Sequence, residues 1–313
     1  MIGTEFVSLS LPPLLIGTFA AVACALPGNF LLLRRQALIG DAISHVVLPG
    51  IVVAFLVTGL VAAIPMMLGA AAAALVAVAL IEIVRRLGRI DPGAAMGVVF
   101  TAMFAGGVLL LEQSDTSDVH LDVQHALYGN LESLIWLDGF GWASLLDWQH
   151  LQGLPPELPR MALTLVCVSL FTVVFWRPLK LATFDEGFAR TQGISTGWLG
   201  MALVGVAAVA AVAAFDAVGS IIVIAMFICP PAAARMMTNR LETQIGWSIA
   251  FAILSAISGY VLAGYAPLWL GYANAVSAAG MIATVSGVIL AVTAIAGPCR
   301  RRAGMPADAD RQS

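Results

Sequence analysis

Asp41 and His45 place a carboxylate and an imidazole four residues apart, within an apolar segment long enough to cross a membrane. On a helix, residues at i and i+4 lie on one face, so both side chains point to the same side. A charged side chain at mid-bilayer costs at least about 2.5–3.5 kcal/mol on insertion scales, which makes the pair a candidate functional site. Its oxygen and nitrogen donors suit divalent manganese, iron or zinc, and the pair therefore predicts half of a metal site.

The residues around this pair predict its depth and a kink beside it. If Arg34 and Arg35 mark the cytoplasmic interface, His45 lies about 15 Å further along a helical path, near the membrane midplane. Pro49 and Gly50 follow shortly after. Because Pro removes a backbone hydrogen bond and Gly loosens the helix, we expect a kink at these two residues.

Two donors leave the predicted metal site incomplete, because a bound divalent ion takes four or more ligands. The remaining ligands come either from other helices or from a second copy of the chain. A structural role also stays open, in which the Asp41–His45 pair holds two helices together.

The composition is that of an all-α polytopic membrane protein. Of its 313 residues, 60% are hydrophobic and 11% are charged, whereas soluble domains carry about 25% charged residues. Membrane lipid is therefore the expected surrounding. The basic residues sit in short clusters and form no continuous patch, which argues against a nucleic-acid partner.

Apolar runs predict a bundle of eight or nine transmembrane helices, since about 20 residues span a hydrocarbon core of about 30 Å. Arginine clusters close the first and third runs, and because Lys and Arg collect in cytoplasmic loops, both clusters are placed inside. The runs are about 12–33, 38–58, 62–84, 93–111, 160–176, 198–215, 218–237, 245–264 and 274–297.

An acidic stretch at 112–159 is predicted to be an external loop, from its charge and from the parity of the spans. It contains His120, His125 and His150, whose spacings suit no single helix face. A solvated or docking loop is favoured over a metal site for these histidines. Its acidity would attract a cation or a binding protein.

The polar segment 177–197 is predicted to lie in the cytoplasm and to form a short amphipathic helix. Residues 299–313 are predicted to be a polar cytoplasmic tail, which leaves 1–298 as a single transmembrane permease domain. Asp216 falls between two apolar runs and is interpreted as an outward-facing turn residue, with a role in the ion pathway as the alternative.

Three blocks of sequence resemble one family, the permease subunits of ATP-binding-cassette importers for manganese, zinc and iron, the ABC-3 type. A further stretch, Leu121 to Glu132, is similar to the branch of that family usually assigned to manganese, for which zinc and iron are also claimed. The three blocks are Gly28 to Gly50, which holds the Asp/His pair, Thr183 to Gly193, and Val218 to Arg235.

The resemblance implies two permeases over two separate ATPase subunits in the bacterial plasma membrane, fed from outside by a solute-binding protein. It implies that Asp41 and His45 line the path and bind the transported ion. A facing permease, either a copy of this chain or a paralogue, would contribute matching ligands. Manganese is the most expected cargo, with zinc or iron possible, and no permanently bound cofactor is expected.

The resemblance also places a coupling helix against the ATPase, with four residues assigned to it: Phe184, Asp185, Glu186 and Gly193. The chain's one lysine, Lys180, follows no Gly-rich phosphate loop, so ATP hydrolysis is expected in a partner and the chain is not expected to be an enzyme. A proton-coupled secondary metal transporter is the alternative, because Asp and His also relay protons in transporters.

Overall fold

Successive apolar runs of the sequence fold into α-helices that follow one another with short connections. The computed structural model describes residues 6–37, 39–59, 63–113, 131–137, 141, 142, 144, 147, 150, 152–269, 271 and 276–303. A π-helical turn, Phe6–Ser10, precedes the first helix, and a 3-10 turn, Leu131–Ser133, follows the fourth. In the described part of the chain, the helices are α1 (Leu11–Leu33), α2 (Ile39–Thr58), α3 (Ala63–Gly88), α4 (Pro92–Gln113), α5 (Glu157–Val174), α6 (Trp176–Phe184), α7 (Glu186–Thr191), α8 (Thr196–Val218), α9 (Ser220–Met237), α10 (Leu241–Trp269) and α11 (Ala278–Ala303).

Nine of the helices in the described ranges, α1–α5 and α8–α11, are long and apolar enough to cross a membrane. This confirms the predicted all-α bundle of eight or nine spans. Large apolar side chains such as Leu75 and Val76 on α3, and Leu163 and Leu170 on α5, are exposed. Outward-facing apolar side chains are expected where lipid takes the place of water.

Helix α1 lies at the centre of the bundle. It packs against α5, α8, α9 and α10, and its small residues Ala20, Ala21 and Ala25 are buried. Small side chains let helix backbones approach closely, which gives membrane helices their van der Waals contact. Helices α2, α3 and α4 pack on one another and join the rest through α8 and α9, while α9, α10 and α11 form a second group.

Polar contacts distinguish the two ends of the bundle. At the end where the arginines collect, Arg34 Nε donates to Thr183 Oγ1 over 3.2 Å, and Lys180 pairs with Glu242. The ends of α1, α6 and α10 therefore meet here, and we refer to this as the cytoplasmic end. At the opposite, outer end, the Glu132 carboxylate accepts a hydrogen bond from the backbone N–H of Ala278.

Helix α10 begins earlier than the apolar run at 245–264 predicts. Polar residues of its first turns hydrogen-bond with another helix. Gln244 Nε2 donates to Asn29 Oδ1 over 3.1 Å, and Asn29 Nδ2 donates to Ser248 Oγ over 3.0 Å. All three side chains are buried, so a polar cluster extends the helix where hydropathy alone predicts a loop.

The described part of the predicted external loop packs onto the outer end. Trp136 is fully buried; its backbone N–H donates to the Ser8 carbonyl over 2.8 Å and its indole N–H to the His150 carbonyl over 3.0 Å. His120 and His125 lie outside the described residues, and the roles of all three loop histidines stay predictions. At the other terminus, α11 continues through 299–303, the first part of the predicted tail.

Candidate metal site and coupling helix

Asp41 and His45 lie on the first turns of α2, with Asp41 in the first turn. Asp41 Oδ1 and His45 Nε2 are 3.4 Å apart, and the two side chains are 32% and 39% exposed. Two ligands that each lie about 2.1 Å from a tetrahedral ion are separated by about 3.4 Å. The pair can therefore present both donors to one ion with the helix as it stands.

Two aromatic side chains of α4 hold the His45 ring. Phe100 stacks on it at a centroid distance of 5.5 Å and an angle of 20°, and Phe104 meets it edge to face at 5.8 Å and 77°. Sequence reasoning did not find these two residues. Their spacing of four places them on one face of a helix, but nothing local indicates that this face meets His45.

Phe227 of α9 fixes the start of α2 beside α1. A Cβ atom at Gly28 would lie 2.5 Å from the Phe227 carbonyl oxygen, and one at Gly40 would lie 2.8 Å from the Phe227 ring. These two glycines therefore allow α1 and α2 to approach α9 directly. Asp41 follows Gly40, so this contact positions the carboxylate.

Helix α2 continues through Pro49 and Gly50 to Thr58, and the kink at these residues stays a prediction. Gly50 has a clear packing role. A Cβ atom there would lie 2.5 Å from the Gly69 carbonyl oxygen of α3. The absence of a side chain thus lets α2 and α3 cross with their backbones in contact.

Within the described residues, no group of three or more His, Cys, Asp or Glu side chains is placed to hold a metal ion. The Asp41–His45 pair supplies two candidate ligands, one fewer than such a group requires. A second Asp/His pair, Asp147 and His150, lies in the outer loop, with Oδ2 and Nε2 3.8 Å apart.

The predicted cytoplasmic segment forms two short helices, α6 and α7, where the sequence predicts one. Asp185 separates them. Its Oδ1 accepts a hydrogen bond from the Phe188 N–H over 2.8 Å, which makes it the N-cap of α7. The resemblance assigned Asp185 to the ATPase contact, and the structure gives it this additional local role.

Gly193 ends the same helix. Its φ of +78° is a conformation that glycine adopts without the steric cost of a Cβ atom. The Gly193 N–H donates to the Arg190 carbonyl over 3.0 Å, and the Ile194 N–H donates to the Ala189 carbonyl over 3.1 Å. This is the Schellman pattern of helix termination, so α7 is capped at both ends.

Glu186 is held by contacts within the cytoplasmic segment. Its Oε1 accepts from Arg190 Nη2 over 2.7 Å and from Thr196 Oγ1 over 3.0 Å. The hydrogen bond from Arg190, followed by that from Thr196, lowers the pKa of Glu186 below its usual range. Phe184 and Phe188, at 54% and 50% exposure, leave apolar surface beside it.

Asp216 lies in the last turn of α8, and the chain turns only at Gly219, whose φ is +82°. Its Oδ2 is 3.5 Å from Arg160 Nη1 of α5. The predicted turn residue is thus a helical residue in an ion pair that joins α5 and α8 at the outer end.

The nine candidate spans and the capped helix at the cytoplasmic end define a multi-pass helical membrane protein. The family model described as the ABC 3 transport family matches residues 8–137 and 154–297. The chain belongs to this family and is a multi-pass protein of the bacterial plasma membrane. The resemblance seen in the three sequence blocks is confirmed.

Relatives align over most of the chain. The manganese transport system membrane protein MntD of Bacillus subtilis (strain 168) is 38% identical over 277 residues, 88% of each chain. The zinc transport system membrane protein TroC of Treponema pallidum (strain Nichols) is 34% identical over 263 residues, 84% of this chain and 83% of TroC. The solved structure of PsaBC from Streptococcus pneumoniae in complex with Fab has a similar fold, with a TM-score of 0.69 at 23% identity, covering 90% of this chain and 89% of that one.

Proposed function

We propose that this chain is the membrane-spanning permease of an ATP-driven importer for a divalent transition metal. The observation that carries the proposal is the 3.4 Å approach of Asp41 Oδ1 and His45 Nε2 on one face of α2. Relatives named for manganese and for zinc transport support a metal cargo. Manganese is the expected ion, with zinc or iron as alternatives, because all three accept carboxylate and imidazole ligands.

The ion binds as cargo near the membrane midplane, and the chain holds no resident cofactor. Two donors from one chain bind it weakly enough for release, and a matching pair from a second permease completes the coordination. That second permease is a copy of this chain or a paralogue. Phe100 and Phe104 restrict rotation of the His45 ring, so its Nε2 stays directed toward Asp41.

Separate ATPase subunits supply the energy, and a solute-binding protein delivers the ion to the outer end. The ATPase contacts the cytoplasmic end through α7, where Phe184 and Phe188 are exposed. Asp185, Glu186 and Gly193 fix the shape of this helix. The chain itself catalyses no reaction.

Replacing the two donors tests the site. In the assembled transporter, Asp41→Ala combined with His45→Ala should reduce uptake of radioactive manganese into proteoliposomes by more than about tenfold. Loss of even an indirect partner of a metal ligand costs about 10–100-fold in affinity or activity. Unchanged uptake by this variant would remove the pair from the transport path.

The outer-loop pair provides a matched control. Asp147→Ala with His150→Ala removes the same two side-chain types outside the bundle, and its uptake should equal that of the unmodified transporter at saturating binding protein. Competition by unlabelled zinc and iron then ranks the three candidate ions.

The energy source separates ATP-driven import from proton-coupled transport. Uptake should require ATP and persist when an ionophore collapses the proton gradient. Uptake that needs the gradient and ignores ATP would establish the proton-coupled alternative.

A further inference from the structure

A cavity of about 440 Å³ lies at the cytoplasmic end, between the end of α1, α3, the start of α8 and the α6–α7 segment. Its charged lining consists of four arginines and two glutamates, which leaves two net positive charges. The four arginines are Arg34, Arg85, Arg86 and Arg190, and the glutamates are Glu82 and Glu186.

Arg34 forms the inner wall of this cavity. Its Nε donates to Thr183, but its Nη2 is buried and none of the described residues accepts a hydrogen bond from it. A buried charged donor without an acceptor loses its hydration and gains no hydrogen bond in return, which is unfavourable. The arrangement therefore favours an acceptor that enters from outside the chain.

The other arginines lie nearer the mouth. The side chains of Arg86 and Arg190 are 65% and 67% exposed, so an anion can approach from the cytoplasm or from the inner membrane surface. Glu82 pairs with Arg85 and Arg86 and fixes where their guanidinium groups lie. The guanidinium charge outweighs the carboxylates that orient it.

Two glycines in the first turns of α8 leave room for the ligand. A Cβ atom at Gly200 would lie 3.4 Å from Arg34 Nη1, and one at Gly197 would lie 3.9 Å from Arg86 Nη2. The two arginines thus face the same glycine surface. The N-cap residue Ser195 makes no side-chain capping bond, so the positive end of a 23-residue helix adds to the field.

We propose that this cavity binds a phosphate group, held by Arg34 within the cavity and Arg86 at its mouth. Guanidinium groups match the oxygens of phosphate with paired, charge-assisted hydrogen bonds. The net positive charge excludes the divalent cargo as the ligand, so the site is distinct from Asp41 and His45. The phosphate belongs either to an inner-leaflet phospholipid or to a soluble cytoplasmic anion, which share this chemistry.

Two probes distinguish these sources in the assembled transporter. Reconstitution in phosphatidylcholine nanodiscs with or without phosphatidylglycerol, followed by native mass spectrometry, measures retained lipid. A rise in Tm when inorganic phosphate is added to the phosphatidylcholine sample measures the binding of a soluble anion. Arg34→Gln and Arg86→Gln should each lower the affinity for whichever probe binds by about tenfold, as expected when one charge-assisted hydrogen bond is lost.

Arg89→Gln is the matched control. Arg89 follows the end of α3 and is exposed, and it does not line the cavity, so its loss changes the net charge equally. The site is supported if the unmodified protein and Arg89→Gln bind one of the probes and the two cavity variants lose it. The probe that binds then identifies the source of the phosphate group. Binding of neither probe, or equal binding by all variants, overturns it. Because Arg34 also contacts Thr183, Arg86→Gln keeps the test decisive if Arg34→Gln fails to fold.

Discussion

At the scale of single residues, glycines decide how closely the helices around the candidate metal site approach. Gly50 and Gly69 bring α2 against α3. A Cβ atom at Gly107 of α4 would lie 2.5 Å from Pro49 Cβ of α2, whereas one at Gly106 would meet nothing within 4 Å. Adjacent glycines thus have different roles, and only Gly107 is needed for the approach of α4, which carries the two phenylalanines beside His45.

Gly107→Ala should therefore lower the Tm of the permease, and Gly106→Ala should not. Overpacking a tight contact costs about 1–3 kcal/mol, whereas alanine at an open helical position improves helix propensity by up to about 1 kcal/mol. Thermal unfolding of the two purified variants measures the difference. Equal Tm values would contradict the close contact between Gly107 and Pro49.

Part of the candidate metal site could be predicted from the sequence. Asp41 and His45 are four residues apart, so their convergence follows from helix geometry alone. Phe100, Phe104 and Phe227 reach the site from other helices, and no pattern within those helices indicates which neighbour they meet. Their contacts depend on how the bundle packs, and a single sequence carries little information about that.

At the scale of elements, α7 shows how a very short helix is kept in place. A helix of this length is unstable by itself in water. Asp185 caps its beginning and Gly193 ends it, and both are recognisable helix-boundary signals in the sequence. The family resemblance implies that the same two residues contact the ATPase. Capping gives a physical reason why one is an aspartate and the other a glycine.

Substitutions at Asp185 separate capping from charge. Asp185→Asn keeps an N-cap acceptor, whereas Asp185→Ala removes it at a cost of about 1 kcal/mol of helix stability. If capping positions α7, the asparagine variant should transport nearly as many ions per ATP as the unmodified transporter, and the alanine variant clearly fewer. Coupling measured in proteoliposomes checks this.

An equal loss of ions transported per ATP in the two variants would instead assign Asp185 a direct charge contact with the ATPase. Assembly with the ATPase, measured by co-purification, must be intact in both variants for the comparison to hold.

At the scale of the whole molecule, the hydropathy of the sequence predicts the spans well because each span is a local property. The span ends are less predictable. Helix α10 begins at Leu241, and in its first turns Gln244 donates a hydrogen bond to Asn29 and Glu242 pairs with Lys180. These partners are distant in the chain, so a polar residue that appears to end a span instead belongs to it.

Lys180 offers a direct test of the orientation of the whole molecule. It is the chain's one lysine, and its side chain is 44% exposed. A membrane-impermeant amine reagent should modify it in inside-out vesicles and not in right-side-out vesicles, with the modified peptide identified by mass spectrometry. Lys180→Arg should remove the signal, and modification in right-side-out vesicles would reverse the assigned topology.

The crossing of α2 and α3 has a mechanical consequence. Where Gly50 meets Gly69, backbone lies on backbone, and the nearest side chains are the methyl groups of Ala54 and Ala73, which have no rotamers to change. Because this close-packed crossing has no side-chain rotamers through which it could readjust, we expect α2 and α3 to move together. Asp41 and His45, which both lie on α2, would then shift together with α3, and under the proposed function the ion would be gripped or released by changes in their distance to the second permease.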